Sequence, residues 1–397
     1  MLELSDSVGR IRESATMAIS SRAKAMLRAG EDVIALAAGE PDFDTPAHIV
    51  AAAKEALDAG FTRYTPAAGI PELRAAWAEQ IGEKRGVSYD TNQLIVTCGG
   101  KQAVFNVVYA LAGPGEEVII PAPYWVSYPE QVRAVGATPV VVQTYPEDGF
   151  RLSPQVLREA ITDRTRLLIF NSPSNPTGSV YARDELAALA EVLVDNKVPV
   201  LSDEVYDELV YGRAFASFAS LGPEMYDLTI IVAAVSKTYA MTGWRIGCAV
   251  GPAEVIAAAG RLQSHSTSGA NSVAQKAALA AITGDQSTVG VMRQEFDRRR
   301  QYMLQRLNAM PEVDCPEPEG AFYTFPRVSA YYDGRCDGQV IGGSMDLCRL
   351  LLEKEKLALV PGMAFGNDAH VRLSYAASMA QIEEAMDRLE RFLGHIE

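Results

Sequence analysis

Lys237 is the residue whose setting points most directly to chemistry. It follows the apolar, β-branched run LTIIVAAV over 228–235, which places it just past the carboxyl end of a strand. In open parallel sheets that edge is where ligands bind. A lysine there, with its pKa lowered by its surroundings, can form a Schiff base with an aldehyde. Two further strand ends carry matching groups. After the run LLIF over 167–170 comes the turn NSPSNPTG over 171–178, with Asn175 at its centre. After VPVLS over 198–202 come Asp203 and Tyr206. Taken singly, each has a blander reading: an exposed lysine in a turn, a helix cap at Asp203, a core aromatic at Tyr206, a turn former at Asn175. Taken together, a lysine, a carboxylate, a phenol and an amide on one sheet edge are what a pyridine-ring aldehyde cofactor requires. The carboxylate keeps the ring nitrogen protonated, and the phenol and amide bond the ring oxygen.

The elements that must position these groups follow from the pattern of apolar runs. Short runs at 93–97, 117–120, 138–142, 167–170, 198–202 and 228–235 alternate with helical patterns near 100–111, 125–135, 153–162 and 183–196. Such alternation predicts βαβ units and an α/β fold with a mostly parallel sheet flanked by helices. Thr45-Pro46 and Ser153-Pro154 read as an N-cap followed by proline at the first helical position. Gly30, Gly60 and Gly86 stand where a helix would end. From about residue 289 a charged helix leads into separated short strands at 321–326, 357–360 and 370–375. A last helix follows from Ser378, with Gln381 completing a capping box. The expected organisation is a large domain over 46–288 and a smaller, discontinuous α+β domain from 1–45 and 289–397.

Composition narrows the partners. The chain has 397 residues, is 48% hydrophobic and 22% charged, and so has ample material for a folded core. Its formal net charge of −14 makes nucleic acid and anionic membrane surfaces poor partners. Cys98, Cys248, Cys315, Cys336 and Cys348 are widely scattered, as are His48, His265, His370 and His395, so neither a disulfide framework nor a metal motif is expected. There is no signal-peptide pattern at the N-terminus and no long apolar run. The expectation is a reduced, cytoplasmic, soluble protein.

Several motifs together resemble the fold-type I pyridoxal-phosphate aminotransferases. They are Asn-Pro-Thr-Gly at 175–178, Asp203-x-x-Tyr206, and Ser236-Lys237 with Gly243 and Arg245. The segments AGEPDF at 38–43, YTPAAGIPELR from Tyr64, GGKQ at 99–102, PYWVSY at 123–128 and VRLSY at 371–375 extend the likeness over nearly the whole chain, which is most similar to the bacterial aspartate-specific members. The resemblance implies that Lys237 holds the aldehyde and later moves the substrate's α-proton. It implies that Asp203 partners the pyridinium nitrogen, that Tyr206 and Asn175 bind the ring hydroxyl, and that Trp125 stacks on the ring face. Arg245 would clamp the phosphate bidentately, with the backbone N–H groups of Gly100 and Lys101 at a helix start. Many relatives carry serine three residues before the lysine, where this chain has Ala234. Ser236 is then the hydroxyl left for the phosphate. Tyr64 would reach the phosphate of the partner subunit, which implies a homodimer with shared active sites.

Substrate contacts are implied in the same way. Arg372 would form the fork for the substrate α-carboxylate, with the Gly39 backbone near it. Another subgroup places an arginine after the cofactor lysine to bind a distal carboxylate. Here no arginine occurs between Arg261 and Arg293. Lys101 with Arg12 and Thr16, four apart on one helical face, would take that part. A solvated N-terminal arginine is a competing reading of Arg12. The expected reaction moves the amino group of aspartate to 2-oxoglutarate, giving oxaloacetate and glutamate; whether prephenate also serves as an oxo acid is left open by the sequence. Alternatives that stand beside it are an aminotransferase for another amino acid, a lyase or decarboxylase of the same fold, and a non-catalytic binding protein. A nucleotide-binding dehydrogenase fits less well, because no Gly-x-Gly-x-x-Gly occurs.

Overall fold

The computed structural model describes residues 4–12 and 15–397. Its centre is a seven-stranded sheet made of β1 (Leu94–Thr97), β2 (Glu117–Ala122), β3 (Thr138–Gln143), β4 (Thr165–Asn171), β5 (Val200–Asp203), β6 (Thr229–Ala234) and β7 (Gly247–Val250). The strands lie in the order β1-β7-β6-β5-β4-β2-β3. All neighbouring pairs are parallel except the two made by β7. The central strands read as continuous apolar runs because helices cover both faces. Side chains still alternate. Ile119, Leu168, Phe170 and Val200 face the helix Arg183–Asn196 through Leu186, Leu189 and Leu193, while Val118, Ile120, Leu167, Ile169 and Leu201 face the helix Gly100–Leu111 through Val104, Val107 and Val108.

The strand β7 was not legible as one, since GCAV is four residues long with no alternation. Its reversed direction matters for the site. It sets Gly247 beside both Thr97 at the end of β1 and Ala234 at the end of β6. The twelve residues between β6 and β7 therefore loop over the same edge that β1, β4 and β5 end on. Four of them, Val235–Thr238, form one helical turn carrying Lys237.

The second assembly of elements packs on this edge. A three-stranded antiparallel sheet joins β8 (Tyr323–Thr324), β9 (Val360–Pro361) and β10 (Val371–Ser374) in the order β9-β10-β8. The helices Ala15–Arg28, Ser287–Ala309, Ser344–Glu355 and Met379–Gly394 surround it. One buried apolar cluster takes Ile19, Leu36 and Ala37 together with Phe296, Leu351, Leu373 and Phe392, so the early chain packs against the late chain. The short strand Ile34–Ala35 pairs in parallel with Leu357–Ala358.

Helix ends test the expected caps one by one. Ser153 accepts from the Val156 N–H, and Ser378 with Gln381 makes the capping box. Thr45 does not cap the helix Ala47–Asp58, which has no side-chain cap. Its hydroxyl donates instead to the Ala240 carbonyl at 2.7 Å and accepts from Trp244 Nε1 at 3.0 Å. The chain entering that helix is tied to the Lys237 loop, and this tie outcompetes the local cap.

Candidate active site

A cavity of about 390 Å³ opens where the carboxyl ends of β1, β2, β4, β5 and β6 meet the second assembly. Lys237 enters it from the one-turn helix after β6, and its Nζ donates to the Gly39 carbonyl. Asp203, the last residue of β5, is 5% exposed. Its Oδ2 accepts the Tyr128 O–H at 2.7 Å, and among the described residues its Oδ1 accepts only the Val205 N–H, at 3.4 Å. Tyr206 follows in the next turn, and its hydroxyl lies 2.9 Å from that of Tyr323. Asn171 joins two strand ends: its Nδ2 donates to the Asp203 carbonyl at 2.9 Å, and its Oδ1 accepts the Asn175 N–H at 2.8 Å.

Opposite, Arg372 comes from β10 and is buried. Its Nη1 donates to Asn175 Oδ1 and its Nη2 to the Ala37 carbonyl, both at 2.9 Å, while Nε has no partner among the described residues. The guanidinium carbon lies 4.4 Å from the ring centre of Tyr323 and 5.0 Å from that of Phe365. The described residues give it no carboxylate. A buried cation without a counter-ion is costly, and a bound anion removes that cost.

A second anion position is built from backbone. Gly99 has φ +84°, a conformation glycine adopts without strain. A Cβ there would stand 2.5 Å from Arg245 Nη2, so only glycine admits the guanidinium. A Cβ on Gly247 would stand 2.4 Å from the Gly100 nitrogen. The two glycines thus bring Arg245 against the start of the helix Gly100–Leu111, whose free N–H groups and dipole favour an anion.

Burial tunes the ionisable groups. Burial pushes Lys237 down to about 8, with Arg372 and Arg245 lowering it further and Glu40 opposing. A substantial share of this amine is therefore neutral near pH 8 and able to act as nucleophile or base. Burial pushes Asp203 up to about 6, against the Tyr128 hydrogen bond and the Lys237 charge, which favour the carboxylate. Lys101 is lowered by burial and then by Arg245. Its Nζ sits 4.9 Å from the Trp125 ring centre.

Of the residues expected from sequence, Lys237, Asp203, Tyr206, Gly100, Lys101, Trp125, Asn175, Ser236, Arg245, Gly39 and Arg372 all line this one cavity. Tyr64 does not, and is 99% exposed. Arg12 is exposed, with its backbone N–H on Glu130 Oε2 at 2.7 Å. Thr16 lies in the helix Ala15–Arg28, and its side chain falls outside the described residues. The expectations did not single out Tyr128, Asn171, Tyr323 and Phe365, which the structure adds. The signals were faint: Tyr128 is three residues after Trp125, and Asn171 opens the turn that holds Asn175.

Residues 31–389 match the family model for aminotransferases of class I and II. The chain belongs to that family. This aminotransferase is 47% identical over 400 residues to an aspartate/prephenate aminotransferase of Cereibacter sphaeroides, with 99% of each chain covered. It is 47% identical over 388 residues to an aspartate aminotransferase of Streptomyces avermitilis, covering 97% of this chain and 95% of that one. Among solved structures, the aspartate aminotransferase of Rhizobium meliloti superposes with a TM-score of 0.96 at 41% identity over the whole of both chains. That of Thermus thermophilus with maleate gives 0.93 at 42% identity, over 99% and 100%. Fold class and enzyme class expected from the sequence therefore hold. Among the described residues, no helix of the aminotransferase is long and apolar enough to cross a membrane.

Proposed function

We propose that the enzyme uses pyridoxal 5′-phosphate to move the amino group of aspartate to 2-oxoglutarate, yielding oxaloacetate and glutamate, and that it also accepts prephenate. The observation that carries this reading is the convergence of a depressed lysine, a buried carboxylate and a buried arginine without counter-ion on one cavity. The names of the relatives support the choice of substrates.

The residues fit the cofactor. The cradle formed by Gly99, Gly100 and Arg245 would be filled by any Cβ at Gly99, and it suits a phosphate with one guanidinium and free N–H groups. Ser236 lines the cavity nearby. Asp203 would hold the ring nitrogen, Tyr206 and Asn175 the ring hydroxyl, Trp125 one ring face, and Lys237 Nζ the aldehyde carbon. When bound, pyridoxal phosphate supplies an aldehyde that condenses with amines and an electron-poor ring that withdraws charge from the α-carbon. The chain's own part is positional and protolytic. Arg372 anchors the α-carboxylate, which is the anion its buried charge lacks. Lys237 takes the proton from the substrate Cα, a task its lowered pKa suits at neutral pH. Asp203, kept as a carboxylate, holds a proton at the ring nitrogen.

The distal carboxylate of aspartate would meet Lys101, and Arg12 would join it when the N-terminal segment moves inward. We further propose that residues 1–45 and 289–397 act as one small domain against 46–288. A homodimer is part of the same reading: the fully exposed Tyr64 would complete the partner's phosphate site. A cytoplasmic location accords with five unpaired cysteines. The test is direct. Protein loaded with pyridoxal phosphate is mixed with aspartate, and the absorbance of the aldehyde form is followed as it gives way to the amine. Oxaloacetate release and recovery of the aldehyde on adding 2-oxoglutarate are expected. No spectral change with aspartate would refute the proposal.

A further inference from the structure

The Tyr128 hydroxyl has one partner among the described residues, Asp203 Oδ2 at 2.7 Å. Both side chains are buried. Tyr128 is not free to donate elsewhere, and burial followed by the neighbouring carboxylate pushes its own pKa well above the ordinary phenol value, so it stays protonated. Its place is fixed twice over. Its backbone N–H bonds the Trp125 carbonyl at 3.0 Å, and its ring meets the Trp125 ring edge-on at 5.2 Å and 81°. The phenol therefore stands on the same turn as the aromatic face that lines the cavity. Other charged or titratable groups around Asp203 are Lys237, Tyr206 and the adjacent Glu204, whose carboxylate accepts from Arg85, Ser202 and Ser217. None of them donates a hydrogen bond to the Asp203 carboxylate.

We infer that Tyr128 is a positioning residue for Asp203: its hydroxyl occupies Oδ2, keeps the carboxylate ionised, and leaves Oδ1 turned to the cavity. The inference rests on the reading of Asp203 as partner of the ring nitrogen. A buried carboxylate that loses a donor is destabilised in its charged form and becomes free to rotate. Tyr128 thus decides whether Asp203 can present a fixed negative charge to a pyridinium. A mere packing role would matter equally for any ring of the same shape.

The test uses two ligands on cofactor-free protein: pyridoxal phosphate, and its analogue with CH in place of the ring nitrogen. Affinities are read from tryptophan fluorescence, in the wild-type protein and in Tyr128→Phe. The wild type should prefer the nitrogen ring by at least about tenfold, the worth of one charge-assisted hydrogen bond. Tyr128→Phe should bind the analogue as the wild type does and lose most of that preference. Because both ligands are compared within one variant, any general loss of stability cancels from the ratio. An undiminished preference in Tyr128→Phe overturns the inference and leaves the role of Asp203 intact. Equal weakening toward both rings overturns it in favour of packing. Absence of any preference in the wild type refutes the ring-nitrogen reading of Asp203, and the inference falls with it.

Discussion

Removing the fork of Arg372 should separate substrate anchoring from everything else the cavity does. The guanidinium has five N–H donors. Two are spent on Asn175 and Ala37, so three remain, including the unpaired Nε–H. A carboxylate can take two of them side by side. Each charge-assisted hydrogen bond contributes about 1.5–3 kcal/mol, so the pair is worth about 3–6 kcal/mol, or roughly 10²–10⁴ in rate. Arg372→Leu should lower kcat/KM for aspartate by that factor. Arg372→Lys keeps the charge and loses the planar fork, so about one of the two bonds should go, a loss of roughly ten- to a hundredfold. Two controls sharpen the result. A primary amine without an α-carboxylate offers the fork nothing, so neither variant should slow its half-reaction at high pH, where Lys237 is neutral in every form. Arg372 also lowers the Lys237 pKa by charge, after burial. Arg372→Leu should therefore move the Lys237 titration above about 8, and Arg372→Lys should not. Kinetics with both amines across pH 6–10 read all of this. A loss equal for the carboxylate-free amine, or a loss under about threefold with aspartate, would refute the reasoning and make Arg372 a structural ion.

Lys237→Ala should abolish nearly all transamination while cofactor affinity, read by fluorescence titration, is partly kept through Arg245 and Asp203; undiminished turnover of aspartate overturns the assignment. Asp203→Asn should cut turnover by roughly ten- to a hundredfold, the worth of a buried charge-assisted bond. The same change should stabilise the ligand-free protein. Burial raises Asp203 to about 6, and a raised folded pKa means stability is lost as pH climbs from the unfolded value through 6. The asparagine escapes that loss, so above pH 6 the variant should gain on the order of 3 kcal/mol, visible as a higher Tm at pH 8 and little difference near pH 4. Arg12→Ala should lower kcat/KM for dicarboxylic substrates by at least about tenfold, near 1.4 kcal/mol, and spare monocarboxylic ones. Prephenate should suffer more than oxaloacetate, and equal losses on every substrate would mean that Arg12 only supports the fold.

What was legible in the sequence divides along physical lines. Strands buried on both faces announce themselves as apolar runs, and residues at their carboxyl ends are automatically brought to one edge. Asp203, Asn175 and Lys237 could be placed together for that reason, without knowledge of any contact. The strand β7 escaped because four residues carry too little periodicity, yet it is the element that brings Gly247 and Arg245 against Gly99. Thr45 misled because a cap is a local preference worth about 1 kcal/mol, and two longer-range hydrogen bonds to the Lys237 loop outweigh it. Tyr128 was harder still. Its importance lies in a single bond to a residue 75 positions away, and no spacing rule encodes such a partner. Arg12 stands at the opposite limit. The resemblance named it, but its exposed position leaves the charge in water, where an ion pair is worth little. If Arg12 selects dicarboxylates, the selection comes from movement into the cavity, where water is excluded and the same charge acts at lower dielectric. The anchor proposed at Arg372 is therefore already in place in the static fold, whereas the discrimination proposed for Arg12 would have to be created by substrate binding.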